Sequence, residues 1–327
     1  MSKENKIRTK GKLLASLKER MGLLVSMAVL IVIFSLTSEH FLTKDNISNL
    51  LLSISLLGIV SFGMTPVIIS GGFDLAAGAE MGLVGVVLGS MMHNGVSAIW
   101  AVLAALAIGF TVGVINGFCI SRLHIIPLIT TLGTQIIIQG ISYVYSKGLS
   151  FGIFNTTPEF PSFGFWGRGK LFQIPVPVIL MFAVFAVMSF VLNKTVFGRN
   201  IYAVGGNPEA AHVSGIKTDK VIFWNYVMMG LISAFAGIIL ASKLAAGTPT
   251  AGTGYELNAV CAVVLGGASP SGGKGKVSNT LLAVIVLGIL SNGFVLLGLS
   301  TYVQNIARGC ILLVSVGLDQ YKNRRRS

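Results

Sequence analysis

The chain has 327 residues, 53% of them hydrophobic and only 11% charged, with a formal net charge of +13. An ordinary soluble domain carries about 25% charged residues, so most of this surface faces something other than water. Apolar runs near 20 residues long without strict alternation exclude a β-barrel and leave an all-α, polytopic membrane protein.

Lys3, Lys6, Arg8, Lys10, Lys12, Lys18 and Arg20 make residues 1–20 a basic segment ahead of the first apolar run, 21–37. Ser38, Glu39 and His40 follow that run instead of a small-residue cleavage site, so it reads as an uncleaved span. Nine further spans are predicted near 47–70, 75–92, 98–121, 125–145, 174–192, 221–243, 257–268, 279–297 and 301–317. Together they form one transmembrane domain over 21–317, closed by a basic tail at 318–327 that holds Lys322, Arg324, Arg325 and Arg326. The second and third spans are separated only by Gly71-Gly72-Phe73-Asp74, which suits a broken helix. The eighth is too short to cross about 30 Å. It either extends from Tyr255 into Ser269 or is re-entrant and shielded by protein.

Charge sets the expected orientation. With the N-terminus inside, segments 1–20, 122–124, 193–220, 269–278 and 318–327 hold eighteen Lys and Arg. The outer segments 38–46 and 146–173 with the span-edge Lys243 hold five. The positive-inside rule therefore places both termini in the cytoplasm, where anionic membrane lipid also attracts them. The same clustering at the ends, without a basic face interleaved with aromatics, argues against nucleic acid. The outer loop 146–173 is aromatic (Phe151, Phe154, Phe160, Phe163, Phe165, Trp166) and carries Pro158 and Pro161. It reads as an interfacial belt or as a docking surface for an external partner.

Intramembrane ionisable residues are functional candidates by default. Asp74 either caps the third helix or serves transport, and Glu80 lies a turn or two deeper. Arg308 is the one basic residue well inside a predicted span and needs a carboxylate, carbonyls or a water-filled cavity. Asn116, Thr130, Thr131, Gln135, Gln139, Asn292, Gln304 and Asn305 are neutral polar residues within spans. Each can serve interhelical bonding; as a set they suit a polyhydroxylated neutral solute. Cys119, Cys261 and Cys310 lie in apolar runs at unrelated spacings and read as small hydrophobes, with no disulfide or metal site implied. Segment 266–276, GGASPSGGKGK, fails the Walker A pattern because neither lysine is followed by Ser or Thr. ATP is therefore not expected to bind this chain, no cofactor is expected, and no catalytic constellation stands out.

The polar insert 197–216 reads as a short capped helix awaiting a partner. Asn207 is the N-cap, Pro208 suits the first helical position, and Glu209 faces the positive end of the helix dipole. Gly215 is the C-terminal stop, and about two turns of helix are marginal alone in water.

Four stretches in order resemble the permease subunits of bacterial ABC importers for monosaccharides of the ribose, arabinose, xylose and galactose type, a family that includes autoinducer-2 permeases. They are GGFDLAAG (71–78), VINGFCISRLHIIPLITTLGTQ (114–135), VLNKTVFGRNIYAVGGNPEAAHVSGI (191–216) and GYELNAVCAVVLGGASPSGGKGKV (254–277). Phe73 and Ala76-Ala77 stand where the family often has Ile and Ser-Val. The resemblance implies that Asn207, Pro208, Glu209, Ala210, Ala211 and Gly215 form a coupling helix, within the cytoplasmic loop 193–220, that meets a separate ABC ATPase. It also implies a second permease chain, identical or not, and a periplasmic or lipid-tethered sugar-binding protein. The expected location is the bacterial inner membrane, and Asp74, Asn116, Thr131, Gln135 and Asn292 are the candidate substrate pathway. Alternatives are a branched-chain amino-acid or autoinducer-2 permease, or, from another class, an ion-coupled secondary transporter.

Overall fold

The computed structural model describes residues 21–153 and 160–324. The basic segment 1–20, Phe154, Pro158, Arg325 and Arg326 lie outside the described residues, as do the side chains of Phe160, Pro161, Lys322 and Arg324. All ten predicted spans are helices: α1 Met21–Thr37, α2 Lys44–Ile69, α3 Ala77–His93, α4 Ala98–Ser121, α5 Pro127–Ser146, α7 Val176–Lys194, α10 Thr218–Leu244, α11 Tyr255–Leu265, α12 Val277–Leu296 and α13 Thr301–Arg324. Between them lie α6 Phe160–Arg168, α8 Val196–Gly206 and α9 Pro208–Val213. Two short antiparallel ribbons complete the fold, β1 (Phe151–Gly152) with β4 (Ala246–Gly247) and β2 (Lys170–Leu171) with β3 (Ile174–Pro175).

Five helices (α2, α4, α7, α10 and α12) are both long and apolar enough to cross a membrane. At 1.5 Å per residue, α10 alone spans about 40 Å, with α9 near its first residue and α6 against its last turn. Burial sorts these helices into a centre and a rim. The apolar stretch of α2 is 83% buried and that of α4 only 28%. Accordingly α2 packs on α7, α10, α11 and α12, while α4 turns Ile99, Trp100, Leu103 and Phe110 outward. An outward apolar face of this extent is a liability in water and the normal state in lipid.

The helices approach closely because glycine allows it. Gly109, Gly113 and Gly117 recur every four residues on α4 and meet α10. A Cβ at Gly113 would sit 2.7 Å from the Tyr226 carbonyl oxygen and 2.8 Å from the Val227 Cα, so no side chain fits there. The irregular segment 246–254 is protected in the same way. It lies along α3, where a Cβ at Gly89 would be 2.9 Å from the Gly247 nitrogen, and β4 pairs with β1 above it. Non-helical backbone at membrane depth survives only when protein covers it, and here α3 provides the cover.

The structure corrects the boundaries of the eighth span. It does not extend to Ser269: α11 ends at Leu265, and Gly266, Gly267 and a turn follow. Helix α8 was not expected, and α6 places part of the aromatic loop on α10. The Gly167 N–H donates to Ser242 Oγ (2.9 Å), Ser242 Oγ donates to the Phe163 carbonyl (2.7 Å), and Phe163 is buried while Phe165 and Trp166 stay exposed.

Replacing Gly113 with Val should destabilise the fold by about 1–3 kcal/mol through overpacking. The measurement is thermal unfolding in detergent. An unchanged midpoint would mean that α4 and α10 are not in backbone contact.

Candidate functional site

Helices α8 and α9 form a bent unit outside the bundle of long helices. Thr195 caps α8, its hydroxyl accepting from the Gly198 N–H at 3.0 Å, and α8 buries Gly198, Ile201, Val204 and Gly205 on one face. Asn207 has extended backbone, and its Oδ1 accepts from the Ala210 N–H at 2.9 Å, which satisfies one of the orphaned donors of α9. Pro208 occupies the first turn with Glu209. At the other end Gly215 has φ +84°, and the Gly215 and Ile216 N–H groups donate to the His212 and Ala211 carbonyls at 2.9 and 3.0 Å. That is a Schellman closure, which needs the left-handed conformation glycine adopts without strain. Within α9 only Ala211 is buried; Glu209 and Ala210 are exposed and Val213 is 87% exposed.

The unit is locked to the end of α2. The Ile69 carbonyl, in the last turn of α2, accepts from the Gly273 N–H at 2.8 Å. Gly205 lies so close to that carbonyl that any Cβ would collide with its oxygen, and a Cβ on Gly273 would meet the Gly206 Cα at 2.9 Å. The Tyr202 hydroxyl donates to the Gly275 carbonyl at 2.9 Å, and burial pushes its phenol pKa up. From α10, Asn225 Nδ2 donates to the Pro66 carbonyl (2.8 Å) and to Ser70 Oγ (2.9 Å). The 266–276 glycines thus hold α8 and α2 together.

The break 70–76 continues directly from this junction. Asp74 is buried, and its Oδ1 accepts from the Ala76 N–H at 2.9 Å as α3 begins. The Phe73 carbonyl accepts from the Tyr226 hydroxyl at 3.0 Å and from Thr131 Oγ1 at 3.4 Å; Thr131 also bonds the Pro127 carbonyl. Asn116 is buried on α4 and its Oδ1 accepts from Thr134 Oγ1 at 2.7 Å, while its Nδ2 has no partner among the described residues. Gln135 is half-buried one turn beyond Thr131. Glu80 is fully buried, and among the described residues neither carboxylate oxygen has a hydrogen-bond partner. The structure therefore brings Thr131 to the break next to Asp74 and ties Asn116 to α5 through Thr134, while Gln135 lies on α5 one turn from Thr131. Tyr226 belongs with them and was missed, although a Tyr beside Asn225 in an apolar run was a visible signal.

Asn292 does not join this group. Its amide and that of Asn46 exchange two hydrogen bonds, at 2.9 and 2.8 Å, and Asn46 Nδ2 also donates to the Phe41 carbonyl. The pair clamps α12 to the start of α2.

The family described as "Branched-chain amino acid transport system / permease component" matches residues 46–316. The ribose import permease protein RbsC of Bacillus subtilis is 39% identical over 305 residues, 93% of this chain and 94% of that one. The RbsC of Escherichia coli K12 is 40% identical over 299 residues, 91% of this chain and 93% of its own. The L-arabinose transport system permease protein AraH of E. coli K12 is 39% identical over 309 residues, covering 94% and 92%. No solved structure matches the chain.

If Asn46 and Asn292 are a structural clamp, truncating either to Ala strands a partly buried amide and costs about 1–3 kcal/mol, and the double variant costs less than the sum. Thermal unfolding of the two single variants and the double variant tests this. Strict additivity would show that the pair is not coupled.

Proposed function

Because the chain belongs to the branched-chain amino acid transport system / permease component family, we propose that it is the membrane-spanning subunit of an ATP-driven importer that brings a neutral monosaccharide into a bacterial cell. The observation that carries this is the 39–40% identity, over more than nine-tenths of the chain, to permeases for ribose and arabinose. It favours sugar over the amino acid of the family description. The amides and hydroxyls of Asn116, Thr131 and Gln135 beside the break fit a polyhydroxylated solute.

In this reading the chain lies in the inner membrane with both termini and the α8–α9 unit in the cytoplasm. A separate ATPase binds the ATP and seats α9, a second permease chain completes the pathway, and a binding protein delivers sugar at the α6 end. Glu209 and Val213 are exposed on α9, and beside it a cavity of about 470 Å³ is lined by Phe197, Asn200, Lys217, Lys220 and Trp224. Movement of α9 reaches the sugar through the glycine contact of Gly205 with Ile69, and then through 70–76 to Asp74, Asn116, Thr131 and Gln135. The ATPase drives transport only insofar as it contacts the two states of the permease differently.

With the ATPase, the binding protein and D-ribose or L-arabinose in proteoliposomes, Glu209→Lys and Gly205→Ala should each cut uptake at least about tenfold, a loss of about 1.4 kcal/mol of coupling. ATPase activity should persist but lose its stimulation by loaded binding protein. Full uptake in both variants would overturn the transmission route. A wild-type complex that moves no monosaccharide would overturn the substrate class.

A further inference from the structure

Arg308 lies on α13 in the half of the molecule away from α9, about 10 Å along the helix from Thr301 at 1.5 Å per residue. A guanidinium at membrane depth needs partners, and those it has are neutral. Nη2 donates to Ser291 Oγ of α12 at 2.8 Å and Nη1 to Asn305 Oδ1 at 3.4 Å. Among the described residues no carboxylate pairs with it. Arg308 also lines a partly open cavity of about 200 Å³ bordered by α2, α11, α12 and α13. Ser53, Tyr255, Asn258 and Ser291 supply its polar wall and two leucines its apolar one. At roughly 30 Å³ per water, that volume holds about half a dozen waters, or one small solute that displaces them.

We propose that this cavity is a second sugar subsite, separate from the group around 70–76, where one monosaccharide docks in the outer half of the pathway. The proposal rests on reading the chain as a sugar permease. A sugar hydroxyl both donates and accepts, and so does the lining. Asn258 and the two serines do both, Arg308 donates through a planar fork that spans neighbouring oxygens, and the Tyr255 ring borders the space. A carboxylate would engage the guanidinium but bring no donor to the Asn258 carbonyl oxygen. The position also fits delivery from outside. Tyr255 and Asn258 open α11 directly after the buried extended segment, and Ser291 lies near the end of α12 furthest from α9.

The test is uptake by the complete complex of a pentose against its monodeoxy analogues, with wild type, Arg308→Gln, Arg308→Lys and Asn258→Ala. The binding protein is common to all, so a change in the ratio belongs to the permease. The wild type should prefer the parent sugar to at least one deoxy analogue about tenfold more than Arg308→Gln and Asn258→Ala do. Arg308→Lys should not restore the preference, because a point charge lacks the fork. Loss of protein stability alone would lower all uptake without changing the ratio. Unchanged ratios in both variants would overturn the subsite. So would uptake inhibited by inorganic phosphate in wild type but not in Arg308→Gln, since that marks an anion site. A wild-type complex that moves no sugar would instead sink the permease reading and the subsite with it.

Discussion

The carbonyl of Ile69 is the point on which this architecture turns. The last carbonyls of a helix lack intrahelical donors, and α2 ends against α8 with Ile69 fully buried, where unsatisfied backbone is costly. The donor comes from Gly273, more than two hundred residues away, and the space beside it comes from Gly205. Three segments distant in sequence are thereby fixed to one atom. The bonds of Asn225 to Pro66 and Ser70 add α10 to the same junction. A backbone contact has no rotamer to absorb displacement, so a shift of α8 must move α2, move the 269–275 turn, or break the contact.

A second constraint follows from placing irregular chain inside the bundle. The break 70–76 carries backbone that no ladder satisfies, the segment 246–254 is paired only over Ala246–Gly247, and α3 lies against both. Its glycines leave room for the second, and Asp74 secures the first at the start of α3. The Tyr226 and Thr131 hydroxyls then hold the Phe73 carbonyl. The polar residues that fasten the break are of the same kind as those proposed to meet solute, so fastening and recognition compete for one set of donors.

Much of this was legible in the sequence, for physical reasons. Apolar length reports burial in lipid directly, and all ten spans appear as helices. The caps of α9 were legible because N-caps, N1 proline and C′ glycine act within a few residues. What escaped notice depends on partners far along the chain. Helix α8 reads as a polar loop because half of its buried face is glycine, and Gly198 and Gly205 look apolar only once Leu192 and Ile69 lie against them. Asn292 looked like a pathway residue since nothing nearby announces Asn46 as its complement. The neutral surroundings of Arg308 were hidden for the same reason.

The bonding of each buried polar group separates roles that composition leaves merged. Both amides of the Asn46–Asn292 pair are engaged, so moving α12 away from α2 carries a full desolvation cost, and the clamp behaves as fixed structure. Asp74 uses one oxygen on Ala76, and Asn116 uses its acceptor and leaves its donors free. Glu80, between α3 and the α4–α10 contact, uses nothing. Buried groups with unmet capacity gain most from any rearrangement that brings a partner. Among the described residues such groups lie on α3–α5 (Glu80, Asn116, Thr130, Ser142) and also on α2, α10 and α12 (Ser61, Asn225, Ser233, Asn279), so they single out no one pair of helices, whereas the Asn46–Asn292 pair is bonded on both sides.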